Sequence, residues 1–543
     1  MTPNRSTWFG CSLGGLLVAF LALQSMPQGS DGANILGVFT SHSPSHLIVH
    51  MSVMKALAEK GHNITVVSSL PPKVTHKSIK HIVVPLDPQS EKILNEGMAD
   101  MAKQKPSIWN TFSNIFNSLS LLIDKQVDVL EDPRFQELYL NKGNKFDVVF
   151  VGFFFNSYQV ALGARFNCPV IISWSGPPML MVNSFLGNPE LSSVPQMSIS
   201  LAPGATMNFQ QRLKNFVSTI GFNGLGLVLD HKYKKFYKRL WGNDKTMPSF
   251  EEAQKNVSLA FCNGHGISEG PIRPNVPGII EVGGIQVKSK PDPLPEDIKE
   301  FLDKAKNGAI LFSLGSNLKG DFIKPEVVKT IFKGLSKLKQ QVIWKWDDLD
   351  NVPGKSANIL YKKWLPQDDI LAHPKLKLFI THAGKGGVSE AQYHGVPMLA
   401  LPVFADQPAN ADKVEESGYG LKLELNTLEV EEFKATIKEL IENPKYAQKL
   451  KAFSQLYRDR PMTAQESVVY WTEYVIRHHG APHMQSPLVK MTFISSNNLD
   501  IYVLTGLILY IIFVVSKLFW KFVWRKLFGK SNKTTQKKKV KKQ

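Results

Sequence analysis

Short apolar strands alternate with helix-length segments in two successive arrays, and a proline-rich stretch separates them. Few folds accept that order. The first array opens with "ANILGVFT", a strand-type run. "SHLIVHMSVMKALAEKGH" follows, with Leu47, Met51, Met54, Leu57 and Ala58 at helical spacing and Gly61 ending the helix. "NITVVSS" is the next strand, and "FDVVFVG" and "CPVIISW" bracket a further helix. "VKSKPDPLPED", Val287 to Asp297, reads as a linker. "AILFSLGS", "QVIWKW", "KLFIT" and "PMLALP" then alternate with helices in the same way. The pattern predicts two doubly wound α/β halves, 33–286 and 287–484, facing a cleft. Ligands of such sheets bind at the carboxyl ends of the strands. Two apolar segments, "WNTFSNIFNSLSLLI" and "MNFQQRLKNFVSTIGFNGLGLVL", interrupt the first array. They read as core helices, with a greasy substrate wall or a membrane-facing flap as the sharper alternative.

The ends carry a different message. Arg5 precedes the apolar run Leu13 to Leu23, which predicts a secretory signal within 1–32. Near the other end "IYVLTGLILYIIFVVSKLFWKFVW" predicts a transmembrane helix over 499–520, with Lys517 and Lys521 reaching for the interface beside Phe519, Trp520 and Trp524. The 521–543 tail is basic. From Lys517 onward the chain holds eleven of its Lys and Arg and no acid, which leaves +7 of the net +18 for everything else. The charge is thus mainly a tail, and no basic stripe interleaved with aromatics predicts nucleic acid as a partner. Positive residues after the span predict a cytosolic tail and a lumenal body. Lys539 and Lys541 fit a retrieval signal of the endoplasmic reticulum membrane. Three cysteines make no disulfide framework; Cys11 falls in the signal, and Cys168 and Cys262 read as small buried apolar residues.

The second array contains the densest motif, "LFITHAGKGGVSEA". A strand runs into His382, then Gly384, Gly386 and Gly387 turn into a helix carrying Glu390. Such a corner brings backbone N–H groups and a helix N-terminus to an oxyanion. Upstream stands "WLPQDDILAHP" and downstream "GVPMLALPVFADQ". From Trp364 to Gln407 the chain resembles the nucleotide-sugar signature of the UDP-glycosyltransferases. The resemblance implies a fold of GT-B type and a role at each matching position. Trp364 stacks on uracil and Gln367 bonds near the base or ribose. His382 and the Gly384–Gly387 backbone hold the diphosphate, and Glu390 accepts from the ribose as an ionised carboxylate. Asp406 and Gln407 read the sugar. Ser313, Gly315 and Ser316 in "FSLGS" form a second phosphate-side loop. Plant-type members usually carry Asn where this chain has Gly386. The family uses no metal and no cofactor beyond the UDP-sugar co-substrate. "DLD" at Asp348 to Asp350 has a metal-site spacing but reads as a solvated turn before Pro353 and Gly354.

In the first half His46 follows the opening strand and starts a helix, where a neutral imidazole can serve as a base. In the family a His stands sixteen residues before the second member of a "GH" pair, as His46 stands before His62. Many relatives end the "FDVV" strand with an Asp that orients this His; here that position is Gly152, and Asp147 is a poor substitute. Asn156 is a candidate replacement. His42, His46 and His50 are spaced four apart, but Pro44 breaks a continuous helix and no carboxylate joins them, so no metal site is expected. Asn63 and Asn256 sit in glycosylation sequons, Asn256 being the better placed. The implied activity is transfer of a sugar, glucose before glucuronate, from UDP to a hydroxyl of a small lipophilic acceptor with inversion. A non-catalytic lipophilic-ligand carrier is the alternative that Gly152 favours. Acceptor identity and oligomeric state are left open.

Overall fold

A computed structural model describes residues 32–529 apart from 104–107, 142, 190, 196–205, 269–272, 317 and 319. The expected signal and the last residues of the basic tail lie outside the described residues. The chain divides into two compact units, Met1–Ser486 and Pro487–Gln543.

The larger unit holds two all-parallel sheets. The first comprises β1 (Asn34–Phe39), β2 (Asn63–Ser68), β3 (Ile79–Val83), β4 (Val148–Gly152), β5 (Val170–Trp174), β6 (Val257–Cys262) and β7 (Ile279–Glu281), in the order β3-β2-β1-β4-β5-β6-β7. The second comprises β8 (Ala309–Ser313), β9 (Gln341–Lys345), β10 (Ile359–Lys362), β11 (Leu376–Thr381), β12 (Met398–Ala400) and β13 (Gly420–Lys422), in the order β10-β9-β8-β11-β12-β13. Strands covered on both faces read as near-continuous apolar runs, as "VVFVG" and "AILFS" do. Alternate residues feed opposite layers: Val149 and Val151 face one core, Val148 and Phe150 the other. Chain order reverses between β1 and β4 in the first sheet, and between β8 and β11 in the second. A crevice opens outside the carboxyl ends at each such point.

All strands of the first sheet precede Val287 and all of the second follow it. The chain then returns. A capping box, Thr463 with Glu466, starts the helix Ala464–Arg477. Its Ala464, Val468 and Val475 enter the same apolar layer as Leu47, Met51 and Met54 of the helix Pro44–Glu59. The last residues numbered with the second half thus pack on the first. The two passages between the halves are bonded to each other: the Arg460 guanidinium donates to the Gly283 carbonyl at 2.6 Å, and Gln465 Nε2 donates to Ile285 and Val287 carbonyls at 3.1 and 3.0 Å. The linker is pinned beside the second sheet by buried Asp369, which accepts from Lys288 Nζ at 2.7 Å and from the Asp292 N–H at 2.8 Å.

From its Phe209 onward "MNFQQRLKNFVSTIGFNGLGLVL" lies in the helix Phe209–Trp241, whose apolar residues are not in the core over the helix's first half. In the smaller unit the helix Leu499–Phe528 is long and apolar enough to cross a membrane, and it runs past Trp520, where the span was expected to end.

Candidate active site

The residues expected to hold the donor gather at the β8/β11 switch point. β11 ends at Thr381, His382 follows, and Ala383 adopts a left-handed φ of +60°. That backbone is costly for alanine and marks a constrained corner. Gly384 caps the helix Lys385–His394, which carries Glu390. The His382 ring is clamped between two glycines. A Cβ on Gly384 would lie 2.4 Å from its Nε2, and one on Gly315 would lie 2.5 Å from its Cε1. Gly315 also has φ +82°, and its N–H lies 3.4 Å from Ser313 Oγ. Ser316 continues this β8 turn, half-buried. Gly386 differs: an added Cβ there would approach only Gln286 Nε2, at 3.9 Å. Space therefore requires two of the glycines and does not require Gly386. Gly387 packs against Phe379.

Burial, and then the charge of Lys345, lowers the His382 pKa to about 4. Near neutrality it is an uncharged imidazole whose Nδ1 is buried without a hydrogen-bond partner. Lys345, at the end of β9 and paired with Asp347 at 3.0 Å, brings a cation to the same corner. Sequence reasoning missed it, although a Lys inside "QVIWKW" was the available signal.

Gln367 and Glu390 meet: Gln367 Nε2 donates to Glu390 Oε2 at 2.6 Å. Desolvation foremost, then the charge of Asp368, raises Glu390 to about 8. Near neutrality the Glu390 carboxyl is therefore mostly protonated. Trp364 is 46% exposed, and Lys73 Nζ from the loop after β2 lies 5.4 Å from its ring centroid. Asp406 accepts from Asn410 at 2.7 Å, while Asn410 also donates to the Ala383 carbonyl at 3.0 Å; burial raises the Asp406 pKa. Gln407 uses its amide oxygen on the Val403 and Phe404 N–H groups, leaving its NH2 to act as a donor. The "DLD" loop is exposed, and Asp348 accepts from the Asp350 and Asn351 N–H groups of its own turn.

His46 lies in the first turn of the helix Pro44–Glu59, beyond the carboxyl end of β1. Its ring meets Phe154 edge-on at 5.1 Å and Trp174 at 6.0 Å. Burial alone lowers its pKa to about 4, and no carboxylate among the described residues forms an ion pair with it. Gly152 ends β4 against His50. A Cβ there would lie 2.8 Å from the Phe39 ring and 3.1 Å from His50. His50 fills this space, stacked on Phe39 and 2.8 Å from Ser173 Oγ. Burial, then the charge of His46, lowers His50 to about 3, so it is a neutral neighbour. Asn156 does not reach His46. It bonds the Gly152 carbonyl, Gln159 and the Phe154 N–H in a buried network with Thr40 and Gln126. Asp147 sits at the far end of the strand on the Asn34 N–H. Among the described residues no group of three His, Cys, Asp or Glu is arranged to hold a metal. Asn63 and Asn256 are both exposed, the first opening β2 and the second capping the helix Phe250–Lys255.

The family model for UDP-glucoronosyl and UDP-glucosyl transferase matches residues 35–534. The chain belongs to the UDP-glycosyltransferase family. It is 33% identical to UDP-glycosyltransferase UGT5 of Dactylopius coccus, covering 96% of this chain and 99% of that one. It is 31% identical to UDP-glucuronosyltransferase 2B15 of Homo sapiens, over 90% and 93%. Among solved structures, the spinosyn forosaminyltransferase SpnP superposes with TM-score 0.53 at 14% identity, over 82% of this chain and all of that one, a likeness of fold.

The state of Glu390 gives this UDP-glycosyltransferase a testable signature. With the ribose on Glu390, as the resemblance implies, its hydroxyls would donate to a carboxylate, and binding would favour the ionised form and expel a proton below about pH 8. UDP affinity is expected to rise with pH toward 8, by at most about tenfold per unit, and then level off. Titration calorimetry in buffers of different ionisation enthalpy reads the proton, and Glu390→Gln should flatten the slope.

Proposed function

We propose that this enzyme transfers a sugar, glucose in the first instance, from UDP to a hydroxyl of a small lipophilic acceptor, with inversion. The observation that carries this reading is a pair of neutral imidazoles, His46 and His382, at the switch points of two sheets whose carboxyl-end loops touch. Trp364 offers a stacking plane to uracil, Gln367 and Glu390 take the ribose, and Asp406 and Gln407 take the sugar. His382, the backbone at Gly384–Gly387 and Lys345 offset the diphosphate charge, so the reading needs no metal and no further cofactor. The acceptor lies in the aromatic surround of Phe154 and Trp174. Its oxygen attacks the anomeric carbon, the bond from that carbon to the diphosphate oxygen breaks with its electron pair on UDP, and His46 takes the hydroxyl proton. A base held near pKa 4 favours acidic hydroxyls, which makes phenols the expected acceptor class. The lumenal side of the endoplasmic reticulum membrane is the proposed workplace, supported by the late apolar helix and the basic residues after it.

One observation favours a second reading. His50 closes off the place of an orienting carboxylate, as in a protein that binds UDP-sugar and a lipophilic molecule without turnover. UDP release from a panel of UDP-sugars with phenolic acceptors, beside calorimetry with UDP, separates the two. Release that depends on both partners supports transfer; binding without release supports the carrier.

A further inference from the structure

The helix Phe209–Trp241 is turned inside out over its first five turns. Asn215 is fully buried and donates to the Ser192 and Val194 carbonyls at 2.8 and 2.9 Å. Facing outward instead are Phe209 at 69% exposure, Leu213, Phe216, Val217, Ile220 and Leu227. Their spacing puts them on one side of the helix, a stripe about 27 Å long at the helical rise. Gly221 and Gly224 lie in this region, and a Cβ on either would meet nothing within 4 Å. The fold does not ask for glycine there, and each weakens the helix in water. From Leu191 to Leu229 the chain has not one Asp or Glu, while Arg212 and Lys214 are exposed beside the stripe. Beyond Leu229 the same outward face turns basic, with exposed Lys235 and Lys238. Farther along, the helix buries Leu229, Tyr233 and Tyr237 in the core of the first half.

We propose that this stripe docks on a lipid bilayer, lying in the interface with its apolar residues among the acyl chains and the flanking cations at anionic headgroups. An acid-free apolar face that gives way to lysines is the pattern of an interfacial helix. The chain also carries a helix suited to spanning a bilayer, so the stripe meets lipid at high effective concentration. Docking would set the half that contains His46 against the phase where lipophilic molecules accumulate.

The test uses the full chain with Cys11→Ser, reconstituted at one copy per nanodisc. Cys168 and Cys262 are buried, so a fluorophore on Val217→Cys reports the stripe, and one on Lys438→Cys reports an exposed helix of the second half. Acyl-chain spin-labelled lipid is expected to quench the Val217 label by about half and the Lys438 label hardly at all. Replacing anionic by zwitterionic lipid should weaken that quenching. Equal quenching at the two sites would overturn the proposal. So would a Val217 label shielded from aqueous iodide yet untouched by the lipid quencher, because a protein surface would then cover the stripe. Both positions are exposed, so neither substitution disturbs the core.

Discussion

His46→Ala should lower kcat by about a hundredfold to ten-thousandfold while leaving the UDP-sugar Kd within about twofold, because the role proposed for it is general-base catalysis, which contributes on that scale, and its ring neighbours, Phe154 and Trp174, belong to the first half. Its surroundings add a second signature. With its pKa near 4, the base form persists through the mildly acidic range. With UDP-sugar kept saturating at every pH, the wild-type kcat/KM for a phenol should therefore stay flat from pH 7 to about pH 5, where an unshifted imidazole would already have lost activity near 6.5. Initial rates of UDP release across that range measure it. Equal rates for wild type and His46→Ala would remove His46 from the mechanism. An acid limb near 6.5 would mean that the ring is not desolvated in the enzyme awaiting its acceptor, since kcat/KM reports the group before the acceptor binds.

Gly384→Ala should cost as much UDP affinity as removing the histidine itself. Gly384 has an ordinary backbone, φ −63°, so alanine strains nothing in the chain. The added methyl would lie 2.4 Å from His382 Nε2 and 2.8 Å from Cε1, and the ring must leave its place. A hydrogen bond to a charged partner contributes about 1.5–3 kcal/mol, so loss of His382 from its proposed place on the diphosphate predicts a Kd raised about tenfold to a hundredfold. The informative variant is the double one. If the methyl acts only through the ring, His382→Ala with Gly384→Ala should bind no worse than His382→Ala alone, a coupling as large as either single effect. Additive losses would mean that the backbone at Gly384 contacts the ligand by itself.

Both experiments probe sites whose residues were legible in the sequence and whose environments were not. Strands such as "FDVVFVG" and "AILFSLGS" announce themselves because a parallel strand buried on both faces has almost no polar residue to confuse the pattern. β10 and β13 are short and half-exposed, and their sequences do not stand out. His46, His382 and Glu390 could be singled out by position after a strand or in a helix. Their protonation could not, since burial and neighbours such as Asp368 and Lys345 come from distant parts of the chain. Asn156 looked able to replace the missing acid beside His46, yet a local network with Gln159 and the Gly152 carbonyl claims it. The filling of that space by His50 was hidden for the same reason: one helical turn separates the two histidines, but only the packing shows which of them meets Gly152. The helix Phe209–Trp241 deceived in the opposite sense. Its composition suits a core, and its register turns the apolar side outward.

The doubled passage between the halves has a mechanical meaning. Two chain segments cross side by side, laced by Arg460 and Gln465, so the halves are joined along a line and not at a point. A joint of that kind resists twisting more than a single chain crossing would. A protease that nicks the proline-rich stretch would sever one crossing and leave the other, and the cut molecule should stay in one piece until denaturant separates its parts.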